Sequence, residues 1–188
     1  MVHHQGATLN AARFAKSLEV SGVTVGRYLD LMVDLLLVRR PKPWTYNVGK
    51  RLVRSPKVYV RDSGITHALL NISTVNDLLG HPVVGGSWEG FVIENILSVL
   101  PSGVQSYFYR TSGGAELDLV LEFGVSERWA IEIKRSASPS LSKGFHIACD
   151  DIKAARRYVV YSGQDDFSMG QNVRAISLGS LMEEVAER

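Results

Sequence analysis

Cysteine is almost missing: Cys149 is the one such residue among 188. No disulfide can close within the chain, and no cysteine zinc cluster can form. The reducing cytoplasm is therefore the expected setting. Long apolar runs are missing too. None approaches the roughly 20 residues needed to cross a bilayer, so no membrane span is expected. The opening Met1-Val2-His3-His4-Gln5 lacks the basic-then-apolar pattern of a signal peptide. Acidic residues are absent from Arg39 to Arg61, a stretch that holds eight lysines and arginines.

What is present suits a packed fold. Hydrophobic residues make up 45% and charged residues 21%, with a formal net charge of +2. That composition argues against disorder. The length suffices for one domain or two small ones. The small net charge conceals the basic stretch from Arg39 to Arg61, whose local field would attract a polyanion. A solvated basic loop is the plainer explanation.

The first segment reads as two short helices. Asn10 can cap one that runs through Ala12, Phe14, Ala15 and Leu18. After Glu19-Val20-Ser21-Gly22, Ser21 or Thr24 can start a second, with Val25, Tyr28, Leu29, Met32 and Leu36 on one face. Two helices so closely joined form a helix-turn-helix, although Glu19 stands where glycine is common. The early residues of the second helix would meet the major groove, here Thr24, Arg27 and Tyr28. A helix end running into a strand over Leu35 to Arg40, turn residues Pro41, Pro43 and Asn47-Val48-Gly49, and a strand at Lys57 to Val60 would complete a winged helix. Its wing would carry Lys42, Lys50, Arg51, Arg54 and Lys57. Winged helices also serve as protein contacts, so this pattern alone does not fix DNA as the ligand.

Asp62 to Asn71 predicts a short helix with Ile65, Leu69 and Leu70 inward, and Ile72 to Gly86 a loop. A boundary there separates residues 1–84 from 85–188. Ser87 is the expected cap of a helix through Leu100. Strands follow at Gln105–Tyr109, Ala115–Leu121 and Trp129–Lys134, then a helix within Ser140–Ala155. Strands at Arg157–Tyr161 and Val173–Ile176 and a helix over Leu178–Ala186 close the chain. Helix, three strands, helix, two strands and helix make a mixed α/β layout.

Strand alternation locates the chemistry. In Ala115 to Leu121, Glu116 and Asp118 share a face, and Leu117, Leu119 and Leu121 take the other. In Trp129 to Lys134, Glu132 and Lys134 share a face with Ala130. The short link Glu122 to Arg128 allows an antiparallel pair that brings Asp118, Glu132 and Lys134 onto one surface. A salt-bridged ladder would account for these charges simply. A hard cation such as Mg²⁺, held by carboxylates, waters and substrate phosphate, would give them a function.

The pattern Asp118, then Ile131-Glu132-Ile133-Lys134, resembles the PD-(D/E)XK nuclease superfamily, without the proline of its name. The resemblance implies that Asp118 and Glu132 bind metal and that Lys134 positions water. The superfamily's helix motif G-x-x-x-E is similar to Gly85-Gly86-Ser87-Trp88-Glu89, which makes Glu89 a fourth candidate, with Glu94 the alternative. Nearly the whole chain resembles the DUF4143 region of prokaryotic AAA-type ATPases. The matching stretches are Asn47 to Lys57, Tyr59, Asp62-Ser63-Gly64, Trp88 to Val92, Phe108 to Thr111 and Ala130 to Lys134. That likeness implies a winged helix followed by a restriction-endonuclease-like mixed sheet flanked by helices, placed after a P-loop ATPase domain. No G-x4-G-K-[ST] loop occurs here: the one Gly-Lys pair, Gly49-Lys50, has Trp44 at the first glycine position and Arg51 after the lysine.

Three functions compete. One is a Mg²⁺-dependent nuclease acting on DNA. Another is a non-catalytic DNA-binding or regulatory module of a P-loop ATPase. The third is an interaction domain that binds neither metal nor DNA. Arg110 could face phosphate or form a surface salt bridge. The scattered His67, His81 and His146 receive no role.

Overall fold

The computed structural model describes residues 2–45, 52, 53 and 55–188. In chain order the helices are α1 (Ala11–Ser17), α2 (Gly22–Asp34), α3 (Ser63–Leu69), α4 (Val75–Gly80), α5 (Val84–Ser98), α6 (Lys143–Asp151) and α7 (Leu178–Ala186). The strands are β1 (Val38–Arg39), β2 (Lys42–Pro43), β3 (Tyr59–Val60), β4 (Gln105–Arg110), β5 (Glu116–Phe123), β6 (Glu127–Ile133), β7 (Arg156–Val160), β8 (Phe167–Gly170) and β9 (Val173–Ile176). The class is mixed α/β, as expected.

Two compact units form. One comprises Met1–Pro41 with Ser55–Phe91, and the other Lys42–Arg54 with Val92–Arg188. The division thus falls inside α5, seven residues beyond the expected boundary. Residues flanking the basic stretch's centre join the second unit for a hydrogen-bonding reason. β2 pairs in parallel with β4, Trp44 N–H donates to Phe108 O, and Val53 N–H donates to Arg110 O. Lys42 therefore lies on a sheet edge instead of a wing.

In the first unit, α1 and α2 form the expected helix-turn-helix. Asn10 accepts from Arg13 N–H, and Ser21 accepts from Thr24 N–H, so both helices start at side-chain caps. Glu19 adopts a left-handed φ of 54° between them. Val20 N–H then reaches back to Ala15 O, which closes a Schellman turn without glycine. Leu29, Val38 and Val58 make the small core, with Leu9, Met32 and Val33 packed against it. β1 and β3 pair antiparallel. Ile65 and Leu69 were expected inward, yet both are exposed. The loop expected over 72–86 holds α4, started by a reciprocal cap between Thr74 and Asp77. α5 begins at Val84, and Ser87 lies within it, buried, with its hydroxyl 2.7 Å from His67 Nε2.

The second unit is built on a seven-stranded sheet of order β2-β4-β5-β6-β7-β9-β8. β4, β5 and β6 form an antiparallel meander, and β7 joins β6 in parallel after the α6 crossover. The edge strand β8 has no counterpart in the sequence reading. One face packs against α6: Val120, Ala130, Val159 and Val173 meet Phe145, Ala148, Cys149 and Ile152. α7 is tied to the other side through Tyr158, whose hydroxyl donates to Glu184 Oε2 at 2.7 Å. Among the described residues, no helix is long and apolar enough to cross a membrane.

Candidate functional site

The site forms where the β5–β6 ladder ends. The last registered pair on that side is Leu119 opposite Ile131, and Val120 faces Ala130. Opposed residues share a face, so Asp118 and Glu132 lie on the same face as Val120 and Ala130. Beyond Leu119 the main-chain pairing gives way to a side chain: Ile133 N–H donates to Asp118 Oδ2 at 3.0 Å. On the other flank, Lys134 N–H donates to Val160 O of β7 at 2.8 Å, which anchors Lys134 at the strand end.

The three expected side chains meet here. Lys134 Nζ lies 2.6 Å from Glu132 Oε1. Glu132 is only 8% exposed, and its Oε2 is buried with no hydrogen-bond partner among the described residues. Burial and, next, the charge of Asp118 push the Glu132 carboxyl up to about 7, and Lys134 opposes them. Glu116, on the same face, adds to the upward push. Glu116 also pairs with Arg110 at 3.5 Å, so Arg110 takes the salt-bridge role weighed for it. At the far end of these strands the same face is neutral in character. There Glu122 is paired with Arg128 at 2.9 Å, and both are largely buried.

α6 borders the site. Ser142 caps it by accepting from Phe145 N–H, and Gly144 lets its first turn approach the turn that leads into β5. A Cβ on Gly144 would stand 2.5 Å from Gly114 O, a separation real side chains do not reach. The same helix brings Cys149 near Glu132. Burial first, with some help from that negative charge, pushes the thiol up to about 12, where it is unreactive.

The remaining candidates sit elsewhere. Glu89 belongs to the first unit, where Lys57 Nζ donates to its Oε1 at 2.9 Å and Tyr59 OH at 2.5 Å. Lys57 is only 3% exposed, so its amino group is spent on Glu89 and does not project into solvent as a wing cation would. Thr24 Oγ1 is 2.9 Å from Ser21 Oγ within the helix cap, and Arg27 is exposed on α2. Lys50, Arg51 and Arg54 lie outside the described residues. Glu94 is half-buried on α5. Among the described residues, no group of three or more His, Cys, Asp or Glu side chains is placed to hold a metal ion. Sequence reasoning missed the Lys57–Tyr59–Glu89 cluster, which depends on partners 30 and 32 residues apart. Strand alternation already marked Glu116 as a same-face neighbour of Asp118.

Comparison with known proteins bears on the whole chain. The family model of a domain of unknown function, DUF4143, matches residues 84–181. A second domain of unknown function, DUF8612, matches residues 1–76. An uncharacterized protein of Mycobacterium bovis and another of Mycobacterium tuberculosis are each 39% identical over 182 residues. The alignment covers 97% of this chain and 41% of each relative. The chain thus spans about two-fifths of the length of the curated relatives it matches.

Proposed function

We propose that this chain, which belongs to the DUF4143 family, carries a nuclease-like site at which Asp118, Glu132 and Lys134 support Mg²⁺-dependent hydrolysis of phosphodiesters in DNA. The observation that carries this reading is Glu132. A carboxylate 8% exposed, with one oxygen on Lys134 and the other orphaned, beside a second carboxylate, is costly unless it has a ligand to hold. The residues present fit a hard cation, because Mg²⁺ takes one or two carboxylates and fills its shell with water and substrate phosphate. When bound, the ion would neutralise charge on the phosphodiester and lower the pKa of a water molecule.

The chain's own groups have separate tasks in this reading. Asp118 accepts a hydrogen bond from the Ile133 amide, so the main chain helps to orient its carboxylate. Glu132 supplies the second carboxylate at a fixed strand position. Lys134, with its side chain 37% exposed, counters part of the upward push on Glu132 and presents N–H donors to the attacking water and to a phosphate oxygen. The basic stretch from Arg39 to Arg61, including Lys50, Arg51 and Arg54, would supply the field that draws the polyanion in. The relatives are more than twice as long as the aligned region, which leaves room for the P-loop ATPase domain implied by the DUF4143 resemblance. The chain itself lacks a Walker A loop, so ATP turnover is assigned outside it, with both parts in the cytoplasm.

One observation favours a second reading, a non-catalytic regulatory module of such an ATPase. Glu89, the expected fourth carboxylate, is engaged by Lys57 and Tyr59 in the first unit. Calorimetric titration with Mn²⁺ and Mg²⁺, alongside a nuclease assay, separates the two. The catalytic reading predicts metal binding and cleavage that both vanish in Asp118→Ala. Binding of DNA without metal uptake or cleavage supports the regulatory module.

A further inference from the structure

We infer that the outer face of α2 is a self-association surface, on which two copies of this chain pair their α2 helices antiparallel about a two-fold axis. This goes beyond the proposed chemistry and does not depend on it. Half of the exposed large hydrophobic side chains among the described residues, eight of sixteen, fall between Leu18 and Leu37. Such concentration marks an interaction surface and not the scattered apolar exposure of ordinary proteins. Tyr28, Leu31 and Leu35 are 56%, 52% and 59% exposed. With Thr24 they recur at spacings of four, three and four, the seam that packs helix against helix. Beside the seam lies an apolar groove of about 70 Å³ between α1 and α2, bordered by Phe14, Leu18, Tyr28 and Met32. Leu36, 67% exposed, adopts a left-handed φ of 59° that glycine would take without strain, so local folding does not explain a leucine there.

Charge complementarity identifies the occupant as a second copy. Arg27 and Asp34 are both exposed and flank the seam on the same side, one heptad apart. In an antiparallel pair these flanking positions face each other. With the axis midway between Tyr28 and Leu31, Tyr28 meets Leu31 of the second copy and Thr24 meets its Leu35. Arg27 then faces Asp34 of the second copy, and symmetry repeats the pair. A parallel pairing in register would set Arg27 toward Met32 of the second copy and leave Asp34 without a cation opposite, so the charge match favours the antiparallel pair. The same surface suits DNA poorly, because the α2 sequence carries one arginine against two aspartates, Asp30 and Asp34.

The test is sedimentation equilibrium of the intact chain over a wide concentration range, for wild type, Leu31→Glu, Asp34→Arg and the exchange Arg27→Asp with Asp34→Arg. Circular dichroism checks that each is folded, and all three positions are exposed. The wild type is expected to move from 20.7 kDa toward twice that mass as concentration rises. Leu31→Glu and Asp34→Arg should stay at the monomer mass, the latter because Arg27 then faces an arginine. The double exchange should recover the dimer. A wild type that stays monomeric at all concentrations overturns the proposal, as it would if a different protein or another segment covers the face. So does a dimer indifferent to Leu31→Glu and Asp34→Arg, or a double exchange that fails to restore association.

Discussion

Glu89 accepts two hydrogen bonds on one carboxylate oxygen, from the Lys57 amino group at 2.9 Å and the Tyr59 hydroxyl at 2.5 Å. Lys57 is buried and pairs with this carboxylate. Glu89→Gln should lower stability by about 3 kcal/mol, the cost of leaving one member of a buried pair uncompensated. Thermal or urea unfolding measures that loss. The geometry also predicts that the folded variant keeps its metal affinity, since this carboxylate is already committed within the first unit. Metal affinity lost with stability unchanged would instead return Glu89 to the metal site.

Gly144 offers a second test. Its missing Cβ leaves the room that Gly114 O occupies. Gly144→Ala should push the first turn of α6 away from the turn leading into β5 and destabilise the fold by about 1–3 kcal/mol. Equal unfolding midpoints for variant and wild type would show that the two segments can part at no cost.

Helix ends make the opposite prediction. Glu19, Leu36, Asn71 and Lys153 hold left-handed φ values of 54°, 59°, 55° and 53° just past α1, α2, α3 and α6. Each is followed by a Schellman bond, such as Ala154 N–H to Cys149 O at 2.9 Å. Glu19→Gly should therefore stabilise the protein by about 0.5–1 kcal/mol, against the usual effect of introducing glycine. A lowered melting temperature would contradict the assigned turn.

These turns also show where the sequence was silent. Glycine after a helix is a visible stop signal, and none of these four helices has it. Starts were easier to read. Asn10 and Ser21, both expected as caps, accept a hydrogen bond from the third residue beyond, and Asp62 and Ser177 do the same for α3 and α7. α7 spans Leu178–Ala186 as the apolar spacing predicted. Ser87 misled because a serine before an apolar helix resembles a cap, whereas here it answers His67. β2 and β8 were hidden for a different reason. Two-residue and four-residue edge strands owe their form to a neighbour's hydrogen bonds and carry little pattern of their own. The acidic site was legible because period-two alternation is local. Asp118, Glu132 and Lys134 needed only the β5–β6 hairpin to meet, whereas the partners of Glu89 lie 30 and 32 residues away.

Glu132 predicts a pH dependence. Its carboxyl is raised from 4.5 to about 7 in the folded protein. Between those values the folded state keeps a proton that the unfolded chain has released. Stability must therefore fall as pH rises through that window. Glu132→Gln cannot titrate, so its stability relative to wild type should climb from about pH 5 to pH 7 and then level off. Thermal unfolding of both proteins at stepped pH measures this, and a difference independent of pH would mean that Glu132 is ionised throughout.

What Asp118, Glu132 and Lys134 do together is read out by DNA cleavage. Purified chain is incubated with labelled single- and double-stranded DNA in Mg²⁺, in Mn²⁺ and in chelator, beside folded Asp118→Asn and Lys134→Ala. The account predicts cleavage that requires the metal and falls at least a hundredfold in either variant, the scale of losing one charge-stabilising group. Intact DNA in every metal condition, or cleavage that persists undiminished in Asp118→Asn, would contradict it.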